Sequence, residues 1–553
     1  PYTEKQNRFI QVDPRTIGSV FQVVTPGDHT MESLPGVPAS QLESWALRGL
    51  TWTTADAAGL PSNLVRADNN NFGPRIGFAY KLTDRSVLRA SYGEYFWTMP
   101  LSQILQSMRM TPPLNLRYEN QVAAKDGTDT YGVRTTPTQN DFVGQVQVDT
   151  NGVVPLSPNA QTGLLMDGRN WKDGRAQKIH VTFEQQFLSD SAIRLSYIGD
   201  RGRDLEQRYS INQRESEYNY VTRTGENPPG NRDLMRDNKD WNLFAVNRTG
   251  YSNTHSLQAE YEKRYSKGFL SQFFYTFTRS LTTSDSDGFS SGNGAINSTG
   301  TGIAQVPEAI QVLGAPQMSY DDLLKLVYYN SGSIPEHRVR WNGVLDLPFG
   351  KGRAMFGNAS GLLDSIVGGW QLTGIGEWRS GNWLSVDASR YLFGDPTLSA
   401  DERLLLNFGG RQQRLWFKGD FDVTSATSVD QAKLQALIPV DRSKRVLTQV
   451  GPGLDNRVPV RLKDGTIRLT TIADNVNWNA RNFFKGPGAW NADLTLSKSF
   501  ALTEKASLQF AADFFNAFNS PMDVNPNAVT GLQDLSQQSN APRTIQLRGR
   551  ISW

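Results

Sequence analysis

From Phe72 onward the chain repeatedly alternates apolar and polar residues, the period of two that sends successive side chains of an extended strand to opposite faces. The C-terminus shows it most plainly. Ile545, Leu547, Gly549, Ile551 and Trp553 share one face, and Thr544, Gln546, Arg548, Arg550 and Ser552 share the other. The same pattern recurs in pairs. Ile76, Phe78 and Tyr80 are followed, across Asp84-Arg85, by Leu88, Ala90 and Tyr92, with Arg75, Ala79, Lys81, Arg89 and Ser91 opposite. Ile179, Val181, Phe183 and Phe187 lead across Ser189-Asp190-Ser191 to Ile193, Leu195 and Tyr197, and Lys178, His180, Thr182, Glu184 and Arg194 lie behind them. Leu257, Ala259 and Tyr261 precede Ser266-Lys267-Gly268 and then Phe269, Phe273, Tyr275 and Phe277; Gln258, Glu260, Glu262 and Arg264 are their polar partners. Val339, Trp341, Leu345, Leu347 and Phe349 precede a longer connection to Trp370, Leu372, Gly374 and Trp378, backed by Arg338, Arg340, Asn342, Asp346, Gln371, Thr373, Glu377 and Arg379. Leu494 and Leu496 turn at Thr503-Glu504-Lys505 to Leu508, Phe510, Ala512 and Phe514. With the terminal segment, the pattern predicts eleven strands.

One alternating strand suits a soluble sandwich and a membrane barrel equally, because either water or a polar lumen can face its polar side. The connections discriminate. Links inside the hairpins are short, with one exception, whereas the segments of roughly 98 to 170, 202 to 250, 282 to 336, 382 to 487 and 519 to 541 are long, polar and rich in Gly, Asn, Ser and Asp. A transmembrane barrel segregates loops in this way, with tight turns on the periplasmic rim and long loops outside the cell. Loops of such length inside a compact soluble domain would count against the strands themselves. Strands of about ten to thirteen residues also match the roughly 9–11 that cross the hydrocarbon layer when tilted. The sequence therefore predicts an all-β, antiparallel transmembrane β-barrel. Tyr80, Tyr92, Tyr197, Trp341, Trp370, Trp378 and Trp553 lie on apolar faces, several near strand ends, where interfacial rings form girdles.

Composition narrows the function classes. The chain holds 57 basic and 54 acidic residues, so its net charge of +3 gives no global field to recruit nucleic acid. Cysteine is absent, which removes disulfides and thiolate metal sites. No apolar run reaches the roughly 18 residues of a membrane helix. His180, His255 and His337 are scattered and read as polar wall or loop residues; no zinc helix, phosphate loop or nucleophile elbow is present. Asp285-Ser286-Asp287-Gly288 resembles part of a calcium loop but lacks the bidentate Glu, and a solvated loop is the simpler reading. Neither a catalytic residue nor a cofactor or metal site is expected.

Asn70-Asn71-Phe72-Gly73-Pro74-Arg75-Ile76-Gly77-Phe78-Ala79-Tyr80, Ser196-Tyr197-Ile198-Gly199-Asp200-Arg201-Gly202-Arg203-Asp204-Leu205 and Tyr275-Thr276-Phe277-Thr278-Arg279-Ser280-Leu281 resemble the barrel of Oar-like TonB-dependent receptors. So do Leu347-Pro348-Phe349-Gly350-Lys351-Gly352-Arg353, Gly369-Trp370-Gln371-Leu372 with Ser380-Gly381, Gly486-Pro487-Gly488 and Phe514-Phe515-Asn516-Ala517-Phe518-Asn519. The resemblance spans residues from about 70 to 553. It implies a barrel of about 22 strands, a plug inside it and a box that contacts TonB, of which this chain would supply the C-terminal portion and about 11–14 strands.

Residues 1–70 are then an N-terminal barrel segment or loop, with Arg15 to Val24 a candidate strand through Ile17, Phe21 and Val23, and 71–553 the C-terminal barrel. Pro1 as first residue suggests processing or further sequence upstream, where the plug would lie. The polar face supplies the candidate site: Arg338, Arg340, Glu377 and Arg379, with Glu260 and Glu262, read as a lumen wall of ion pairs that holds the plug or lines a ligand path. Ile545, Leu547, Ile551 and terminal Trp553 read both as the closing seam and as the insertion signal for barrel-assembly machinery. The expected partners are outer-membrane lipid, that machinery, TonB through the plug, and an extracellular ligand. The expected function is transport of a peptide, glycan or chelate; the alternative is a surface structural or adhesive protein whose interaction loops, 98 to 170 and 382 to 487, are anchored by the barrel.

Overall fold

A computed structural model describes residues 10–98, 161–283, 328–448, 458–470 and 484–553, apart from 17, 34–38, 167, 170, 211, 213–216, 240, 388–389, 393 and 504–505. Ile17, the Asp285-Ser286-Asp287-Gly288 motif, Glu504, Lys505 and the loop stretch 99–160 lie outside the described residues.

The strands read from the alternation are all present: β1 (Arg75–Thr83), β2 (Ser86–Trp97), β3 (Gly174–Leu188), β4 (Ser191–Ser210), β5 (Trp241–Ser266), β6 (Phe269–Thr282), β7 (His337–Asp346), β8 (Trp370–Arg379), β9 (Ala489–Ala501), β10 (Ser507–Phe515) and β11 (Thr544–Ser552). Each pairs antiparallel with its sequence neighbour, so the eleven make one continuous path from β1 to β11. The short strands Tyr329–Asn330 and Gln161–Met166 add to β6 and β5. The path is open among the described residues, and every residue of β1 and β11, its two edges, is exposed.

Turn chemistry sets the hairpins. Ser266 pairs directly with Phe269, leaving a two-residue link in which Lys267 and Gly268 have φ of 53° and 77°. Two central residues with positive φ make the turn whose twist matches that of the flanking strands. Asp84-Arg85 and Ser189-Asp190 make equally short links, between paired Thr83 and Ser86 and paired Leu188 and Ser191. In the second link, hydrogen bonds from Lys263, Ser266 and Ser191 hold the Asp190 carboxyl well below the usual carboxylate range.

Register carries each face across the sheet. Leu345, Leu372, Leu496, Ala512 and Leu547 form one transverse row on the outer face. A second contains Tyr197, Leu257 and Phe277 and ends at His337. Near the long-loop rim Tyr197 stacks on His255 and Tyr275 on His337, each tyrosyl oxygen within 2.7 and 2.9 Å of the imidazole Nδ1, so these histidines belong to the interfacial girdle.

Trp341 lies against the outer face over two glycines. A Cβ built on its direct partner Gly376 would stand 2.4 Å from the indole, and one on Gly374 2.9 Å. Gly376→Val is therefore expected to displace Trp341 and destabilise the sheet by about 1–3 kcal/mol through overpacking. Urea unfolding of the protein in vesicles, followed by tryptophan emission, measures it; an unchanged midpoint would show that the ring moves freely.

Beyond the membrane the long loops fold. Gln11–Val12, Phe21–Thr25 and Leu50–Thr54 form a separate small sheet, antiparallel then parallel. It shares a buried core of Ile10, Val12, Phe21, Met31, Trp45 and Leu50 with Trp241, whose indole meets the Phe21 ring edge-on at 5.2 Å. The barrel strand expected over Arg15 to Val24 is thus corrected. The segment contributes a five-residue strand, Phe21–Thr25, too short to cross lipid and pairing only within the small sheet. Because β1 runs from Arg75 toward the Asp84-Arg85 turn, this unit stands at the long-loop rim. Arg169 clamps Asp13 bidentately at 3.2 Å, and Asn238 donates to the carbonyls of Ser19 and Arg48 at 3.0 Å, so three loops meet there.

A second unit is built from the 382 to 487 and 519 to 541 loops. Leu405–Phe408, Arg411–Leu415, Thr427–Ser428 and Leu532–Asp534 make a four-stranded sheet over a core that includes Leu406, Leu415, Phe421, Val423, Leu434 and Leu532. The hairpin of Val458–Arg461 and Ile467–Thr470 reaches the helix Glu217–Thr224: Arg468 hydrogen bonds to Glu217 and Asn227, and Lys463 to Glu226 at 3.0 Å.

Candidate functional site

The inner face of the sheet carries the charge. Register aligns Val87, Glu184, Arg194, Glu260, Phe274, Arg340, Glu377 and Asn491 in one row across β2 to β9. Its five charged members, Glu184, Arg194, Glu260, Arg340 and Glu377, alternate in sign. Arg89 reaches Glu184 at 3.0 Å, Arg194 lies 3.4 Å from Glu184 and 2.6 Å from Glu260, and beyond Phe274 the Glu377 carboxylate takes Arg338 at 2.6 Å and Arg340 at 3.1 Å. Farther along, Arg548 of β11 pairs with Asp513 of β10 at 3.2 Å. The sheet curves around this wall, enclosing a concavity of about 760 Å³ lined by Arg89, His180, Thr182, Arg194, Gln258 and Glu260.

The structure thus brings together three of the four residues expected as one group, Arg338, Arg340 and Glu377. Arg379 stands opposite Arg338 in the ladder, and its guanidinium donates to Asn382 at 3.3 Å, at the long-loop rim. Glu260 is paired with Arg194; Glu262, one row nearer the short turns, lies beside Ala192 and Gln272, with Arg264 at 4.0 Å. Arg89, Glu184 and Arg194 were recognisable as polar-face residues, but their place in one row with Glu260 depends on register, which alternation within a strand does not provide. Ile545, Leu547 and Ile551 line the outer side of β11, paired with Phe514, Ala512 and Leu508, and Trp553 follows at the short-turn rim.

These ion pairs are partly exposed, and in such settings each contributes about 0–1 kcal/mol. Glu377→Gln, which leaves Arg338 and Arg340 side by side, is expected to lower stability by no more than about 1 kcal/mol and to do so less at high salt. Urea titrations at low and high salt check both. A larger, salt-independent loss would show that the carboxylate acts through packing.

The chain matches the outer membrane beta barrel domain family over residues 1–546. It belongs to that family. The barrel domain's strands therefore lie in the bacterial outer membrane, their apolar face toward lipid and their polar face inward. No curated protein matches the chain. Among solved structures it is similar to the outer membrane transporter YddB from Escherichia coli, with 12% identity over 88% of this chain and 41% of that one and a TM-score of 0.39. The pyoverdine outer membrane receptor FpvA from Pseudomonas aeruginosa PAO1 aligns with 10% identity over 87% and 36%, at a TM-score of 0.33. The ferric citrate transporter FecA does so with 8% identity over 87% and 38%, also at 0.33. The barrel domain thus spans about two fifths or less of the length of these structures.

Proposed function

We propose that the barrel domain is the C-terminal part of a TonB-dependent outer-membrane transporter that moves a large ligand, such as a peptide, glycan or chelate. The observation that carries this reading is the alternating-charge row on the inner face. A wall of fixed, mutually paired charges suits a polar plug held by hydrogen bonds and ion pairs better than it suits a dry core. In this reading the complete barrel has about 22 strands, the additional ones pairing with the exposed edges β1 and β11, because unpaired edges in lipid cost several kcal/mol per group. Arg338, Arg340, Glu377, Glu260 and Arg194 face the plug, TonB engages it from the periplasm, and the folded loop units capture the ligand outside. Ile545, Leu547, Ile551 and Trp553 present the terminal strand to the assembly machinery.

The loop units, each with its own core, also favour a second reading, in which the barrel anchors a surface adhesion protein. The full-length protein separates the two. The transporter reading expects binding to the purified periplasmic domain of TonB and no steady conductance in planar bilayers, since a plug closes the lumen. Absence of TonB binding together with a constant open conductance would sink it and favour the anchor.

A further inference from the structure

The connection from Leu347 to Gly369 is the long exception among the short-turn links, and its Leu347-Pro348-Phe349-Gly350-Lys351-Gly352-Arg353 motif takes no part in the charged row. The motif folds back on itself. Gly350, with φ of 106°, donates to the Met355 carbonyl at 3.0 Å, and a Cβ at Gly350 would stand 2.5 Å from the Gly368 backbone. This close approach seats the short helix Gly361–Val367 beside the barrel wall, where the Trp370 indole donates to the Ile366 carbonyl at 3.0 Å and the Lys351 amide to the Asp364 carboxylate at 2.6 Å.

The side of the wall is fixed by parity. Leu347 follows Leu345, Trp370 precedes Leu372, and Leu496 lies in the same outer row, so all three face lipid. Between them and the helix runs an apolar groove of about 320 Å³, lined also by Phe356, Ile366 and Val367. Leu362, Leu363 and Ile366 share one helical face and are 77%, 52% and 58% exposed, although they lie beside a membrane wall. Lys351, two residues beyond groove-lining Phe349, is exposed at the same rim, and the Lys498 ammonium sits over the Trp370 and Phe500 rings at 5.2 and 4.9 Å.

We propose that this groove holds one acyl chain of an anionic phospholipid of the periplasmic leaflet, with the headgroup phosphate at Lys351. The occupant follows from continuity: the groove opens directly onto the lipid-facing belt, at the depth where headgroups begin. An apolar helix face with a flanking cation is the arrangement that lies in a membrane interface. Neither the plug nor a soluble ligand reaches this outer side of the wall.

Native mass spectrometry of the full-length protein in detergent, titrated with dioleoyl phosphatidylglycerol or dioleoyl phosphatidylcholine, tests it. The wild type is expected to retain one phosphatidylglycerol at concentrations where phosphatidylcholine is lost. Ile366→Trp, which fills the groove, should lower retention of both by about tenfold, the effect of roughly two buried methylenes. Lys351→Gln, an exposed change, should keep acyl binding but abolish the preference between headgroups. Heat-modifiable electrophoretic mobility confirms that each variant is folded. Equal phosphatidylglycerol retention by wild type and Ile366→Trp, or a second copy of the protein bound in place of lipid, would overturn the assignment.

Discussion

Asp420→Ala is expected to unfold the loop unit of residues 386 to 448 while leaving the barrel intact. Arg445 and Asp420 meet at 2.8 Å with side chains only 4% and 5% exposed, and Arg390 lies 3.2 Å from the other carboxylate oxygen. Arg445 also donates to the carbonyls of Phe421 at 2.9 Å and Pro439 at 2.8 Å, so one guanidinium ties three segments of the unit together. Burial pushes its pKa down, and Asp420 opposes that shift. Without the carboxylate, a buried cation loses its counter-charge, a change that typically costs about 3–5 kcal/mol. That is comparable with the entire stability of a small folded unit. Limited proteolysis should cleave the variant within the 386 to 448 segment, whereas its heat-modifiable mobility stays that of the folded barrel. Asp420→Ala with Arg445→Met should recover part of the resistance, since it removes the more deeply buried of the two cations that the carboxylate serves and leaves only Arg390, whose side chain is 17% exposed. Unchanged proteolysis of the single variant would mean that water reaches Arg445.

The contrast between barrel and loops explains what the sequence revealed. Each barrel strand carries its own signature, because lipid on one side and a polar lumen on the other impose the same alternation on ten successive residues. Tight links such as Lys267-Gly268 then fix the pairing of neighbours, so the strand path was legible. The loop units bury residues on both sides of short strands and recruit partners from afar: Trp241 packs with Phe21, and Leu532 with Leu406. Alternation is lost there, and Phe21 and Val23 imitate a barrel strand for the few residues that they last. The candidate site falls between these cases. Parity placed Arg338, Arg340, Glu377, Glu260 and Glu262 on the inner face, but which charge met which was decided by register. Two rows of difference separate Glu262 from the Arg338 level, and Arg379 is drawn to Asn382 at the rim.

Leu547→Lys distinguishes the two faces of the terminal strand most directly. Leu547 lies near the middle of β11, 80% exposed, on the outer side of the strand opposite Ala512. An exposed leucine at this level of a membrane barrel touches acyl chains, and a lysine on the lipid face costs about 2–4 kcal/mol at the midplane, falling toward 0–1 near the interfaces. Its neighbour Gln546 points inward, opposite Asp513, where a cation is tolerated and gains a nearby carboxylate. In the full-length protein, Leu547→Lys should therefore lower the urea midpoint in vesicles and slow assembly, and Gln546→Lys should leave both within about 1 kcal/mol of wild type. The ratio matters more than either value, because both variants add the same charge to the same strand. Equal effects would mean that β11 is not seated in the bilayer with the facing that its alternation dictates. A loss confined to Leu547→Lys would fix the outer side of the strand whose pattern first identifies the membrane.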